Sequence, residues 1–182
     1  MTLAERLLAL HHALDAAGVP HAFGGAIALA YCTLEPRGTS DIDLNVFVPA
    51  SDARGALSAL PDGIAQPDGV AEVVARDGQI RLWWDETPID LFFEYAPVHA
   101  QARANVRRVP FEGVEVPVLG PVELVVFKVM FDRTRDWADV EAVLEAGTVD
   151  AAAVRDTLAD LIEPDDPRFD RFAEAERRGS DP

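Results

Sequence analysis

A chain of 182 residues with 49% hydrophobic side chains can bury a real core, and one compact domain is the simplest reading. A net charge of −16 argues against a surface that is a nucleic-acid footprint throughout, and the single cysteine excludes an intramolecular disulfide and fits a cytoplasmic setting. No apolar run approaches the roughly 18–20 residues of a membrane-spanning helix.

The N-terminal stretch over residues 2–17 predicts an amphipathic helix rather than a signal segment, with Leu3, Leu7, Leu10 and Leu14 on one face and Gly18 closing it. A short strand, His21 to Phe23, leads to Gly24-Gly25 and a small-residue helix from Ala26 to Leu34, which Pro36 ends. Cys32, among Ala30, Tyr31 and Leu34, reads as a buried inert thiol. Asp41 to Val48 is a strand, 51–60 a weak helix and 61–69 a loop. Three strands are expected next, at 72–76, 79–84 and 88–94, with Asp77-Gly78 as a hairpin turn and Asp85 to Thr87 as a second. A further hairpin spans 109–118 with Glu112-Gly113 at its tip. From Pro121 the pattern is helical: 121–132, 135–146, 150–162 and a polar helix near 165–178, with Thr148 or Asp150 capping the third and a frayed ending, RRGSDP. The fold class is therefore α+β, a small mixed sheet with flanking helices and a helical C-terminal region. The boundaries expected are 1–120 for the core, 121–164 for helices packed on it, and 165–182 for a polar helix and tail.

The chemistry concentrates in FGGAIALAYCTLEPRGTSDIDLNVFV. Alternation along a strand puts Asp41 and Asp43 on one side and leaves Ile42 and Leu44 for the core. Carboxylates roughly 7 Å apart on one face repel unless a cation lies between them, and magnesium takes such hard oxygen ligands. Asp90, flanked by Ile89 and Leu91 in TPIDLFFEY, repeats the logic on another strand; were the two strands neighbours, the three acids could hold two metal ions. Gly24-Gly25 at a strand–helix junction lets backbone N–H groups face an anion with no Cβ in the way. Each fragment alone is common as a turn or a solvated edge; their order along the chain is what is specific.

Together, FGGAIALAY, RGTSDIDLNVFV and PIDLFF resemble the core of the nucleotidyltransferase superfamily related to DNA polymerase β. The resemblance implies transfer of a nucleoside monophosphate from an NTP to an acceptor hydroxyl with release of pyrophosphate. It makes Asp41, Asp43 and Asp90 the ligands of magnesium, two ions in all, and Asp90 a candidate base. Gly24, Gly25, Arg37, Thr39 and Ser40 would surround the triphosphate. Many members carry Gly-Ser where this chain has Gly24-Gly25, so a hydroxyl contact there is not expected, whereas the backbone cradle is.

ELVVFKVMFDRTRDWADVEAVLEAG is similar to the helical motif of minimal nucleotidyltransferases, including abortive-infection and type IV toxin–antitoxin toxins. That similarity implies that Lys128, the one lysine beside fifteen arginines, reaches the phosphates with Arg133, Asp136 and Asp139 nearby. The plain alternative is surface ion pairing of Arg135 with Asp139 and of Arg133 with Asp136. The same relatives imply tRNA 3′ ends as acceptor and a cognate antitoxin as partner; an aminoglycoside or a protein hydroxyl is the alternative acceptor. A non-catalytic nucleotide-binding member of the fold and a metal-dependent phosphatase or nuclease are the rival classes. Arg103, Arg107 and Arg108 are either a basic groove or a solvated face, and one of Trp83 and Trp84 is expected to be exposed, where it could stack on a base. His11 and His12 are adjacent and cannot act as i,i+4 zinc ligands, and His21 is expected in the core or at the rim.

Overall fold

The computed structural model describes residues 1–179, a mixed sheet of seven strands with helices on both faces. In chain order the elements are α1 (Leu3–Ala16), β1 (His21–Phe23), α2 (Gly25–Thr33), β2 (Ile42–Pro49), a 3-10 turn (Ala50–Asp52), α3 (Ala53–Ser58), β3 (Ile64–Ala65) and α4 (Val70–Asp77). They continue with β4 (Gln79–Trp84), β5 (Thr87–Glu94), α5 (Pro97–Ala104), β6 (Arg107–Phe111), β7 (Val114–Val118), α6 (Pro121–Phe131), α7 (Thr134–Glu145), α8 (Ala151–Ala159) and α9 (Pro167–Gly179). The sheet order is β3-β4-β5-β2-β1-β7-β6, with β2–β5 and β1–β7 parallel and the other neighbours antiparallel.

Alternation builds the core. On β2 and β5, Ile42, Leu44, Ile89, Leu91 and Phe93 are almost wholly buried, each contributing roughly 1.5–3 kcal/mol on burial. α1 packs on this face through Leu7, Leu10 and Leu14, and its His11 Nδ1 lies 3.0 Å from Nε2 of His21 on β1. A capping box starts α1: the Thr2 hydroxyl accepts from the Glu5 N–H, and the Glu5 carboxylate accepts from the Thr2 N–H. The opposite face of the sheet carries Asp43, Asn45, Asp90 and Phe92, and Phe92 meets Phe131 of α6 at 5.7 Å between ring centroids.

Two expectations about elements fail. The segment expected as a strand at 72–76 is helix α4, and Asp77-Gly78 is its C-terminal stop: Gly78 has φ +70 and its N–H donates to the Val74 carbonyl at 2.8 Å. A glycine that takes positive φ ends a helix as readily as it turns a hairpin, and Val70 and Val74 sit one helical turn apart with Val74 fully buried. The loop over 61–69 contains β3, and α5 begins at Pro97, a first-turn proline where no element is expected from the sequence.

The turn at Asp85 joins β4 to β5, and Glu112-Gly113, both with positive φ, join β6 to β7. Asp150, not Thr148, caps α8, while the Thr148 hydroxyl donates to the Cys32 carbonyl at 2.6 Å. Of the ending RRGSDP, Arg177 to Gly179 belong to α9 and the rest lies outside the described residues.

Candidate active site

Gly24 and Gly25 join β1 to α2, and the elbow is tight against β2. The Gly24 N–H donates to the Asp43 carbonyl at 2.9 Å. Gly25 has φ +48, and a Cβ there would stand 1.7 Å from Asp43 Oδ2. Any side chain at position 25 would therefore displace the carboxylate, so the Gly-Gly form of the motif follows from the space Asp43 takes. The first-turn N–H groups of α2 have no intrahelical acceptor and open toward the same space.

Asp43 on β2 and Asp90 on β5 are register partners on neighbouring strands, and Asp41 sits one residue before β2 begins. The Asp41 carboxylate accepts from the Thr39 hydroxyl at 2.5 Å. Asp43 has no hydrogen-bond or ion-pair partner among the described residues. Burial first, then the charges of Asp41 and Asp90, push its carboxyl up to about 6 against the pull of Lys128 and Arg133.

Asp90 is held otherwise. Arg81, its register partner on β4, donates through Nε and Nη2 to both carboxylate oxygens at 2.7 and 2.6 Å. Sequence reasoning missed Arg81 because the turn expected at 85–87 takes Thr87 out of the strand; β5 instead begins at Thr87, and pairing Trp84 with Thr87 places Arg81 opposite Asp90. Among the described residues, no group of three His, Cys, Asp or Glu side chains is gathered to hold a metal ion as it stands. The donor chemistry nevertheless fits a hard cation: Asp43 is an unpartnered carboxylate with like charges beside it.

Across the cavity, α6 and α7 supply a second, fully paired group. Lys128, 7% exposed, lies 2.6 Å from Asp139 and 3.6 Å from Asp136. Arg133, at the N-cap of α7, binds Asp136 through Nε at 2.5 Å, and Arg37 reaches from the loop before β2 to grip both oxygens of Asp139 at 2.8 and 2.9 Å. Burial works to raise the Asp136 carboxyl, but the Arg133 hydrogen bond and the charges of Lys128 and Arg133 hold it below the usual range. The alternative pairing of Arg135 with Asp139 does not occur; Arg133 with Asp136 does, but as part of this inward network.

Asp41 and Asp43 of the sheet group and all of the helical group line one cavity of about 630 Å³, along with Gly24, Gly25, Thr39 and Ser40. Arg81 and Asp90 lie outside its lining.

The remaining candidates separate from it. Arg107 lies near Cys32 of α2 whereas Arg108 lies near His11 and His21 on the α1 face, so the two adjacent arginines of β6 do not share one groove. Trp84 is buried; Trp83 is exposed but does not line the cavity. Burial pushes the Cys32 thiol up to about 11, which leaves it inert.

A glycine elbow over paired acids on neighbouring strands, faced by a helical lysine network, defines a nucleotidyltransferase. The sequence model described as "Nucleotidyl transferase AbiEii toxin, Type IV TA system" matches residues 6–179, and the chain belongs to that family. No curated protein matches the sequence.

Solved structures share the fold at low identity. The antibiotic-resistance factor ANT(2″)-Ia in solution is 15% identical, with 96% of this chain and 95% of that chain covered at a TM-score of 0.62. The crystal structure of ANT(2″)-Ia with adenylyl-2″-tobramycin is 14% identical, with 98% and 99% covered at 0.55. An antigenic nucleotidyltransferase-like protein from Paracoccidioides brasiliensis is 14% identical, with 94% and 92% covered at 0.50. Among the described residues no helix is long and apolar enough to cross a membrane.

Proposed function

We propose that this nucleotidyltransferase is magnesium-dependent, that it transfers a nucleoside monophosphate from an NTP to an acceptor hydroxyl, and that pyrophosphate leaves. The observation that carries the reading is Asp43: a partnerless carboxylate, in register with Asp90 and seated on the glycine elbow. Asp41, Asp43 and Asp90 would hold the magnesium ions, which, when bound, neutralise the triphosphate and lower the pKa of the attacking hydroxyl. The first turn of α2 would bind phosphate oxygens through backbone N–H groups, because Gly24 and Gly25 leave that approach open. Thr39 orients Asp41 by its hydrogen bond, and Ser40 lines the same rim. Arg37, Lys128 and Arg133 place three cations against two carboxylates, a net positive wall for the phosphates, with Asp136 and Asp139 fixing where those cations stand. Asp90, once released from Arg81, is the base positioned on the acid face.

The acceptor we favour is the 3′ end of tRNA, on the resemblance of the motif over 123–147 to toxin-like relatives; membership of the type IV toxin family supports a cognate antitoxin as partner. A cationic aminoglycoside is the second reading, favoured by the net charge of −16 and by the fold shared with ANT(2″)-Ia. Incubation with each labelled NTP, magnesium and separate pools of RNA, protein and aminoglycosides decides between them by which pool carries label. Asp41→Ala and Asp43→Ala should lose labelling by at least about a thousand-fold while remaining folded. Undiminished transfer in either variant would remove the acids from the reaction.

A further inference from the structure

One end of the cavity is built of rings. Phe92 meets Phe131 at 5.7 Å, and His99 lies between Tyr95 at 4.7 Å and Phe127 at 5.3 Å, centroid to centroid. Tyr95 and Phe131 leave large aromatic surface open, 70% and 44% exposed. Tyr95 is seated on purpose: Gly78 carries no side chain beneath it, and a Cβ there would stand 2.5 Å from the ring.

His99 is the polar element of this end. It is 3% exposed and lines the cavity, and its Nδ1 lies 3.1 Å from the Ala96 carbonyl. A carbonyl only accepts, so Nδ1 carries the hydrogen and Nε2 keeps a lone pair. Nothing among the described residues donates to Nε2. Burial, the largest influence on the ring, pushes its pKa down and keeps it neutral. The site is thus an aromatic slot with one acceptor, on a largely buried ring that lines the cavity, that no protein donor among the described residues engages.

Its position selects the ligand. Phe92 follows Asp90 by two residues on the same face of β5, and the Arg133 guanidinium sits 4.9 Å over the Phe131 ring. The acids and phosphate-facing cations therefore adjoin the slot. The lining carboxylates are Asp41, Asp43, Asp136 and Asp139, none of them a neighbour of the His99 ring, on which only Glu94 bears from outside the lining. A flat heterocycle with an N–H edge finds both faces and an acceptor.

Building on the nucleotidyltransferase reading, we infer that the aromatic end is the nucleobase subsite of the NTP, with His99 Nε2 accepting a hydrogen bond from a ring or exocyclic N–H of the base. Base stacking on these rings is tolerant of sequence, and the acceptor supplies discrimination among bases.

Calorimetric titration of the full chain, with magnesium and α,β-methylene analogues of the four common NTPs, tests this against inorganic tripolyphosphate, which has no base. His99→Phe keeps a ring and deletes the acceptor. It should weaken the best-bound nucleotide by about 5–10-fold and flatten the ranking of bases, while tripolyphosphate stays within about two-fold. His99→Gln, which retains an acceptor, should recover part of the loss, and Phe131→Ala should weaken all four nucleotides by about ten-fold. Should a variant lose its thermal transition, wild-type protein with N-methylated nucleotides that lack the donor gives the same reading. Unchanged affinity and ranking in His99→Phe and Phe131→Ala, or equal binding of methylated and parent nucleotides, overturns the subsite and leaves the transferase reading standing. Wild-type protein that binds neither nucleotide nor tripolyphosphate overturns both.

Discussion

Two clusters of acids meet at one cavity, with Asp90 just outside its lining, and are treated in opposite ways. On the sheet, Asp43 is unpartnered, Asp41 leans on a neutral hydroxyl, and only Asp90 has a cation. On the helices, Asp136 and Asp139 are more deeply buried yet each is gripped by at least two cations. The physical consequence is opposite as well: the Asp43 carboxyl is pushed up to about 6, while that of Asp136 is held down. Uncompensated charge beside the elbow would favour a cation, whereas compensated charge on α6 and α7 fixes side chains in place. The lesson is that the carboxylate left short of partners, rather than the most buried one, is the one chemically open to a ligand.

The sharpest way to break this contrast is Lys128→Met. Removing the one lysine leaves each of two buried carboxylates with a single arginine, and losing one partner of a buried ion pair costs about 3–5 kcal/mol. Chemical denaturation should show a loss of that size. A loss below about 1 kcal/mol would mean that Arg37 and Arg133 satisfy both acids alone, and that the lysine is free to serve phosphate only.

A smaller effect sharpens the other side. Because the folded Asp43 carboxyl titrates at about 6, above its ordinary 3.8, the fold favours its protonated form. Its stabilising contribution is complete below about pH 4 and is lost as pH rises through 6. Metal-free Asp43→Asn should therefore be more stable than wild type at pH 7–8, on the order of 2 kcal/mol, and should converge with it near pH 4. Taking the difference between the two proteins cancels His11, His21 and His99, whose pKa values burial pushes down and whose contributions are lost in the reverse direction, as pH falls. Parallel curves across this range would show that Asp43 is already compensated.

What the sequence disclosed follows the same divide. The acids of β2 and β5 are legible because a period of two separates Ile42 and Leu44 from Asp43, and Ile89 and Leu91 from Asp90. The grip of Arg37 on Asp139 spans 102 positions, and no local pattern announces it. The misread α4 shows the limit of turn chemistry, since Asp-Gly serves a helix end and a hairpin alike. His99 gave no signal of its own: a lone histidine after Pro97 becomes notable only once Tyr95 and Phe127 close around it.

The smallest effect tests the one place where the two treatments meet. Arg81 and Asp90 form a bidentate pair whose arginine is about half exposed, with 49% of its side chain accessible, so Arg81→Ala should cost only about 0–1 kcal/mol of stability. Yet the pair competes with any cation for the same oxygens. Freeing Asp90 should tighten manganese binding, read by the paramagnetic signal of the free ion, by up to about five-fold. It should also move the Asp43 titration upward, because a bare Asp90 adds repulsion that Arg81 now absorbs. Weaker manganese binding in Arg81→Ala would reverse the assignment: Arg81 would then be aiming Asp90 at the cation, and the sheet cluster would be as deliberately braced as the helical one.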